Sequence, residues 1–176
     1  MLARAPMNSF GFRVIAIVTL TFASICASVA KERWATYSNP RFGTTADYPA
    51  DLFTVLDPPP ENGDGQGFKT TDGRAHLLIW GSWNAGDDTP KSYFDRDIDV
   101  KGTSVTYKHI TEHFFVASGM REGKVFYDRC NFSAHPDAAI HCFSISYPEQ
   151  EKTEWNSIVS RLSRSLRALQ VHELPN

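Results

Sequence analysis

The segment Arg74–Trp83, RAHLLIWGSW, is apolar on both sides of an extended chain: Leu77 and Ile79 fall on one face, Leu78 and Trp80 on the other. That pattern predicts a central strand covered from both directions, with an element packed on each face. From Ser104 the β-branched and aromatic content rises, and SVTYKHIT, HFFVASGM, KVFYDRCN and AIHCFSISY read as four strands joined by short turns, an antiparallel meander. Earlier, RWATYS (Arg33–Ser38) and RFGTTADY (Arg41–Tyr48) read as a strand pair around an Asn39-Pro40 turn, closed by Pro49. The period changes after Glu149. Trp155, Ile158, Val159, Leu162, Leu166 and Leu169 recur at steps of three or four with one adjacent pair, the stripe of a helix over Glu149–Gln170 packed by one face. A shorter helix is expected after Thr89 as N-cap, with Pro90 in its first position and KSYFDRDI continuing it. Asp57–Gly67, DPPPENGDGQG, offers no apolar side chain to bury and is expected to be a surface loop.

The amino-terminal stretch has a different pattern. Arg4 and Arg13, with no acidic residue, precede an apolar run over Val14–Ile25, and small residues stand at Ser28 and Ala30. This is the layout of a secretory signal peptide, expected to be cleaved after Ala30. A helix of that apolar run rises only about 18 Å, short of the roughly 30 Å hydrocarbon core of a bilayer, so no stable membrane span is expected after cleavage. Bulky Ile25 before Cys26 disfavours lipoprotein processing. The mature segment 31–176 is then a single domain in the periplasm or outside the cell. Cleavage lowers the basic count from 18 to 16 against 20 acidic residues, a net charge of −4. Such a chain lacks the basic field that attracts nucleic acid.

Export also bears on the cysteines. Once Cys26 is removed, Cys130 and Cys142 remain, in a compartment where thiols pair. Placing them directly opposite on neighbouring strands puts Val125, Tyr127, Phe143, Ile145 and Tyr147 on one face, and Asp128, Ser144 and Ser146 with the cysteines on the other. The division is apolar on one side and polar on the other, as an antiparallel sheet with one wet face prefers, so a disulfide is expected. Closing so short a loop is worth about 2–3 kcal/mol. The same stretch contains His135, Asp137 and His141, but a zinc site is not expected: His141 takes the face away from the sulfurs and His135 falls at the loop tip. The His135-Pro136-Asp137 tripeptide of J-domain co-chaperones sits between helices, whereas strands flank it here, and Ser133, His135 and Asp137 are too close in sequence to form a catalytic relay.

Other candidates are sparse. His109 and His113 have the spacing of helical metal ligands, but their surroundings are strand-like, and in a strand those positions lie about 13 Å apart. Glu61, Asn62 and Asp64 in the acidic loop offer oxygen ligands for a calcium ion without a calcium-loop spacing. No nucleophile-elbow, phosphate-loop or dinucleotide motif occurs, so neither a catalytic residue, a metal nor a cofactor is expected. Trp83 beside Asn84 and the Gly86-Asp87-Asp88 turn is an aromatic next to polar groups, suited to contact with a sugar or a partner surface. Arg161, Arg164 and Arg167 share the exposed side of the last helix, as solvated charge complementing its dipole or as a basic ridge.

Three segments carry a resemblance. YSNPRFGTTADYPADLF (Tyr37–Phe53), HFFVASG with KVFY (His113–Gly119 and Lys124–Tyr127), and ISYPEQEKTEWNSIVSRLSRSL (Ile145–Leu166) resemble the PsbP-like fold, seen in extrinsic photosystem II subunits, a Ran-binding nuclear import factor and DcrB-like bacterial envelope proteins. The resemblance implies an α+β protein with an antiparallel sheet between helices, an α/β/α sandwich, and an exported bacterial member that docks onto larger assemblies without catalysis. It carries no functional residue across, because members bind different partners through different surfaces. The expected role is a non-catalytic interaction module of the cell envelope whose partner is an envelope protein. The alternatives are a small-ligand or glycan binder using Trp83, and a hydrolase without a recognisable motif.

Overall fold

The computed structural model describes residues 32–132 and 139–169. Its meander is β6 (Thr103–Ile110), β7 (Phe114–Arg121), β8 (Lys124–Asn131) and β9 (Ala139–Tyr147). These join β3 (Val55–Leu56), β4 (Gly65–Lys69) and β5 (His76–Trp83) in a seven-stranded antiparallel sheet ordered β3-β4-β5-β9-β8-β7-β6. The strand apolar on both sides lies inside the sheet, paired to β4 and β9. A smaller sheet holds β1 (Trp34–Ser38), β2 (Thr44–Pro49) and β10 (Arg167–Ala168) in the order β1-β2-β10. With the helices α1 (Pro90–Tyr93), which runs on into a π-helical turn over Phe94–Ile98, and α2 (Lys152–Ser165), the architecture is α+β.

One face of the large sheet is closed by α2 and the small sheet. Leu77, Ile79, Phe143 and Ile145 point at Trp155, Ile158, Val159 and Leu162, with Phe53, Phe68 and Ala46 completing a dry core. Gly81 lets the small sheet come close, since a Cβ there would stand 2.4 Å from Thr44 Oγ1 and 2.5 Å from Phe42 Cβ. The expected cap of α1 is present: Thr89 Oγ1 accepts from Ser92 N at 3.1 Å, and Ser92 Oγ accepts from Thr89 N at 2.9 Å.

Several expectations change. The face that carries the cysteines is not a wet face. Phe94 and Ile98 from the π-helical turn cover Phe115, Phe126, Cys130, Ile140 and Cys142 in a second core, and Asp128 is 2% exposed within that layer. The small number of polar side chains on β8 and β9 hid this, because the covering residues come from a distant segment. Helix α2 stops at Ser165 and does not reach Gln170: Ser165 Oγ donates to Leu162 O at 2.9 Å and accepts from Asp47 N at 2.8 Å, Leu166 turns extended, and Arg167 and Ala168 pair with Thr45 and Thr44. The backbone of β2 thereby gains partners that a longer helix would deny it. The loop expected over Asp57–Gly67 is shorter, because Gly65–Gly67 begin β4. Glycine is required there, since a Cβ on Gly65 would stand 2.4 Å from Ile79 O. Strand β5 starts at His76 and not at Arg74, ending at Trp83, which pairs with Ala139, and β7 begins at Phe114, leaving His113 in the turn before it.

Candidate functional site

Trp83 closes β5 on the face that receives the small sheet, and it stands out in exposure. Its side chain is 56% exposed while its ring meets buried Phe42 edge to face, centroids 5.3 Å apart. Phe42 is fixed by the Asn39 side chain, whose Oδ1 accepts from the Phe42 and Arg41 amides at 2.9 Å each. Arg41 lies over the other end, its Cζ 4.9 Å from the Phe42 centroid. The indole is therefore held on a rigid support and presented to solvent. Asn84 serves the neighbouring turn: its amide donates to Asp88 O at 2.9 Å and accepts from Asp88 N at 2.8 Å. Asp88 in turn receives Arg96 at 2.7 Å on both oxygens, and Arg96 holds its carboxyl below the ordinary carboxylate range.

The three arginines stand on two elements and have different neighbours. Arg161 stacks over Trp34, Cζ 4.0 Å from the ring, and lies 4.0 Å from Asp47; Arg164 is exposed on the last turn of α2; Arg167 belongs to β10 and donates to Ser165 O at 2.8 Å.

Cys130 and Cys142 pair directly, Cα to Cα 4.1 Å, with their sulfurs bonded and neither residue more than 1% exposed. His141 lies on the opposite face, where Nδ1 meets Thr44 Oγ1 at 2.8 Å, and burial lowers its proton affinity. Ser133, His135 and Asp137 lie outside the described residues, as does the expected leader. His109 is on β6 against Phe114, ring centroids 5.5 Å apart, and the His113 amide donates to Thr111 Oγ1 at 3.2 Å. Among the described residues no three His, Cys, Asp or Glu side chains gather as metal ligands.

Two acids of the 57–64 loop, Asp57 and Asp64, are bonded within the chain, and Glu61 is exposed. Asp57 bonds Lys69 and, at 2.9 Å, His76 Nε2, and the lysine first and the histidine second hold its carboxyl below the ordinary range. It reaches them across Gly67, where a Cβ would stand 2.4 Å from Asp57 Oδ2. Asp64 bonds Arg41 at 3.1 Å and Asn62. Oxygens committed to cations of the same chain are poorer calcium ligands.

Sequence reasoning missed an open cleft of about 340 Å³ between the β4–β5 turn and the start of α2, lined by Asp51, Thr71, Asp72, Arg74, Glu151 and Trp155. Arg74 bridges Asp72, at 2.6 Å, and Glu151, and Trp155 Nε1 donates to Glu151 Oε2 at 3.1 Å. The Thr70 hydroxyl, then the Arg74 amide and guanidinium, push the Asp72 carboxyl far below its ordinary range. A carboxylate held ionised this firmly carries no proton for acid–base work near neutrality. The only signal in the sequence was the Thr70-Thr71-Asp72-Gly73 turn, which by itself says nothing of the distant Glu151.

Among the described residues no helix is long and apolar enough to cross a membrane. No protein-family model matches the sequence, and no curated protein matches it significantly. The fold does have a counterpart: the solution structure of cyanobacterial PsbP (CyanoP) from Synechocystis sp. PCC 6803 superimposes with a TM-score of 0.57 at 12% identity, covering 82% of this chain and 97% of that one. At that identity the likeness establishes architecture alone, and the chain has a PsbP-like fold.

Proposed function

We propose that this chain is an exported, non-catalytic interaction module of the cell envelope that meets a partner protein through its Trp83 end. The observation that carries this reading is an indole 56% exposed yet buttressed by buried Phe42. A large aromatic left in water forgoes the stability its burial would give, while a ring already fixed in place loses little freedom on binding, which is the profile of an interface anchor. The buried disulfide and the leader-like start support export, with the leader removed near Ala30. Crosslinking of the epitope-tagged protein in intact cells tests it. A defined envelope partner should be captured, and Trp83→Ala should reduce capture about tenfold or more; recovery of uncrosslinked monomer alone would count against it, as would a native protein whose amino terminus retains residues 1–30.

The same exposed indole favours a second reading, a small-ligand or glycan binder, since a fixed aromatic face also suits a sugar ring. A thermal-shift screen of soluble glycans separates the two: a stabiliser whose effect disappears in Trp83→Ala supports this reading, and a blank screen together with a captured protein supports the first.

A further inference from the structure

Arg129 lies on β8, facing α2. Its Nε donates to Asn131 Oδ1 at 2.8 Å, one Nη donates to Ser163 Oγ at 3.1 Å, and the Phe114 ring lies 4.7 Å from its Cζ. Each of these neighbours is neutral. Arg121, the other half-buried arginine among the described residues, has an acid, Asp128 at 2.8 Å. Among the described residues no carboxylate lies within salt-bridge reach of Arg129, although it is half-buried and its burial weakens its hold on the proton. The carbonyl end of α2 beside Ser163 offsets part of the cost of a desolvated cation, but a helix terminus does not use the remaining N–H groups of a five-donor fork.

Beyond Arg129 the same face runs out through buried Val116 and half-buried Phe114 to an exposed margin on the last strand. Helix α2 lies over β8 and β9, and the sheet continues past Arg129 to β7 and the free edge β6. The register sets Arg129 beside Val116 and then His109 in one row, and Tyr127 beside Ser118 and then Tyr107 in the next. Tyr107 is 56% exposed, His109 is exposed, and Phe114 is half-buried between His109 and the guanidinium. A planar cation thus sits at the inner end of an aromatic strip that leads out to a sheet edge.

We infer that Arg129 anchors a docking surface for a partner polypeptide, receiving one aspartate or glutamate carboxylate whose apolar neighbours lie along Phe114, His109 and Tyr107. The guanidinium fork matches a carboxylate with two parallel hydrogen bonds, and a desolvated setting strengthens them. A single cation among aromatic rings, on a chain of net charge −2, is complementary to an isolated carboxylate in an apolar segment and not to a polyanion. This inference rests on the interaction-module reading but uses a face distinct from Trp83.

The test is an NMR titration of the intact domain with acetyl-glutamyl-phenylalaninamide, its glutaminyl counterpart, and inorganic phosphate. The carboxylate peptide should give saturable shifts at the Arg129 side chain, Phe114, His109 and Tyr107, with affinity about tenfold or more above the glutaminyl peptide. Arg129→Gln should abolish the shifts, Arg129→Lys should weaken binding while keeping the charge and the fold, and Arg164→Gln should leave binding within about twofold. Equal shifts with both peptides, or none at Arg129, would overturn the inference, and tighter binding of phosphate than of the carboxylate peptide would replace it with a phosphorylated ligand. A negative titration beside a positive crosslink through Trp83 would remove this surface and leave the module reading intact.

Discussion

Asp128 shows what a single enclosed side chain does to the energetics of the sheet. It is 2% exposed; Oδ2 receives Arg121 at 2.8 Å, and Oδ1 has no hydrogen-bond partner among the described residues. Burial outweighs the neighbouring Ser144 hydroxyl and the arginine and raises the carboxyl above its ordinary value of 3.8. A group whose folded proton affinity exceeds its unfolded one contributes stability that is complete below the unfolded value and is lost as pH rises through the folded one. Stability should therefore fall as pH climbs from 3.8 through the raised folded value, and Asp128→Asn should flatten that slope and stabilise the neutral-pH protein by about 1 kcal/mol, read from urea unfolding at several pH values. A steeper slope in the variant would contradict this assignment. Gly119 makes an opposite point at the same scale, since a Cβ there would stand 1.9 Å from Ser104 O, where the β6–β7 register shifts between Val105 and Tyr107. Gly119→Ala should cost about 2 kcal/mol or more in the same assay, and a neutral effect would mean that the bulge relaxes freely.

At the scale of elements, periodicity told most where one segment decides its own structure. The two-sided pattern of Leu77, Leu78, Ile79 and Trp80 places β5 inside the sheet, and the Thr89-Pro90 start of α1 is legible because a cap is made by residues three apart. Thr89→Ala should cost about 1 kcal/mol and loosen the Arg96–Asp88 pair beyond it, measurable as faster amide exchange over Phe94–Ile98. The register of β8 on β9 is legible for the same reason, with Cys130 opposite Cys142. What the pattern concealed depends on remote partners. Leu166 and Leu169 continue a helical stripe on paper, yet the unpaired edge of β2 draws Arg167 and Ala168 into a strand and leaves Leu169 exposed. The glycines of β4 read as loop because their reason, Trp80 and Asp57 crossing above them, belongs to other segments. Arg129, likewise, is one basic residue in an alternating strand until the fold shows that the neighbours it meets among the described residues, Asn131, Ser163 and Phe114, are neutral.

For the molecule as a whole, the two cores differ in what holds them. The core under α2 is the larger, whereas the one under the π-helical turn contains the disulfide among fewer apolar side chains. Replacing both Cys130 and Cys142 by alanine should cost about 2–3 kcal/mol, with loss of protection concentrated in Phe94–Ile98 and β7, and not in α2. Uniform loss across both layers, followed by hydrogen exchange, would show that the cores melt as one. Because both sulfurs are shut away from water, a reductant or an alkylating reagent meets them only when β8 and β9 part. With a reductant present to open the disulfide, the speed at which the native protein takes up a thiol label thus becomes a clock for breathing of the sheet's middle, and a bound ligand that clamps the strands should slow that clock without touching a single sulfur.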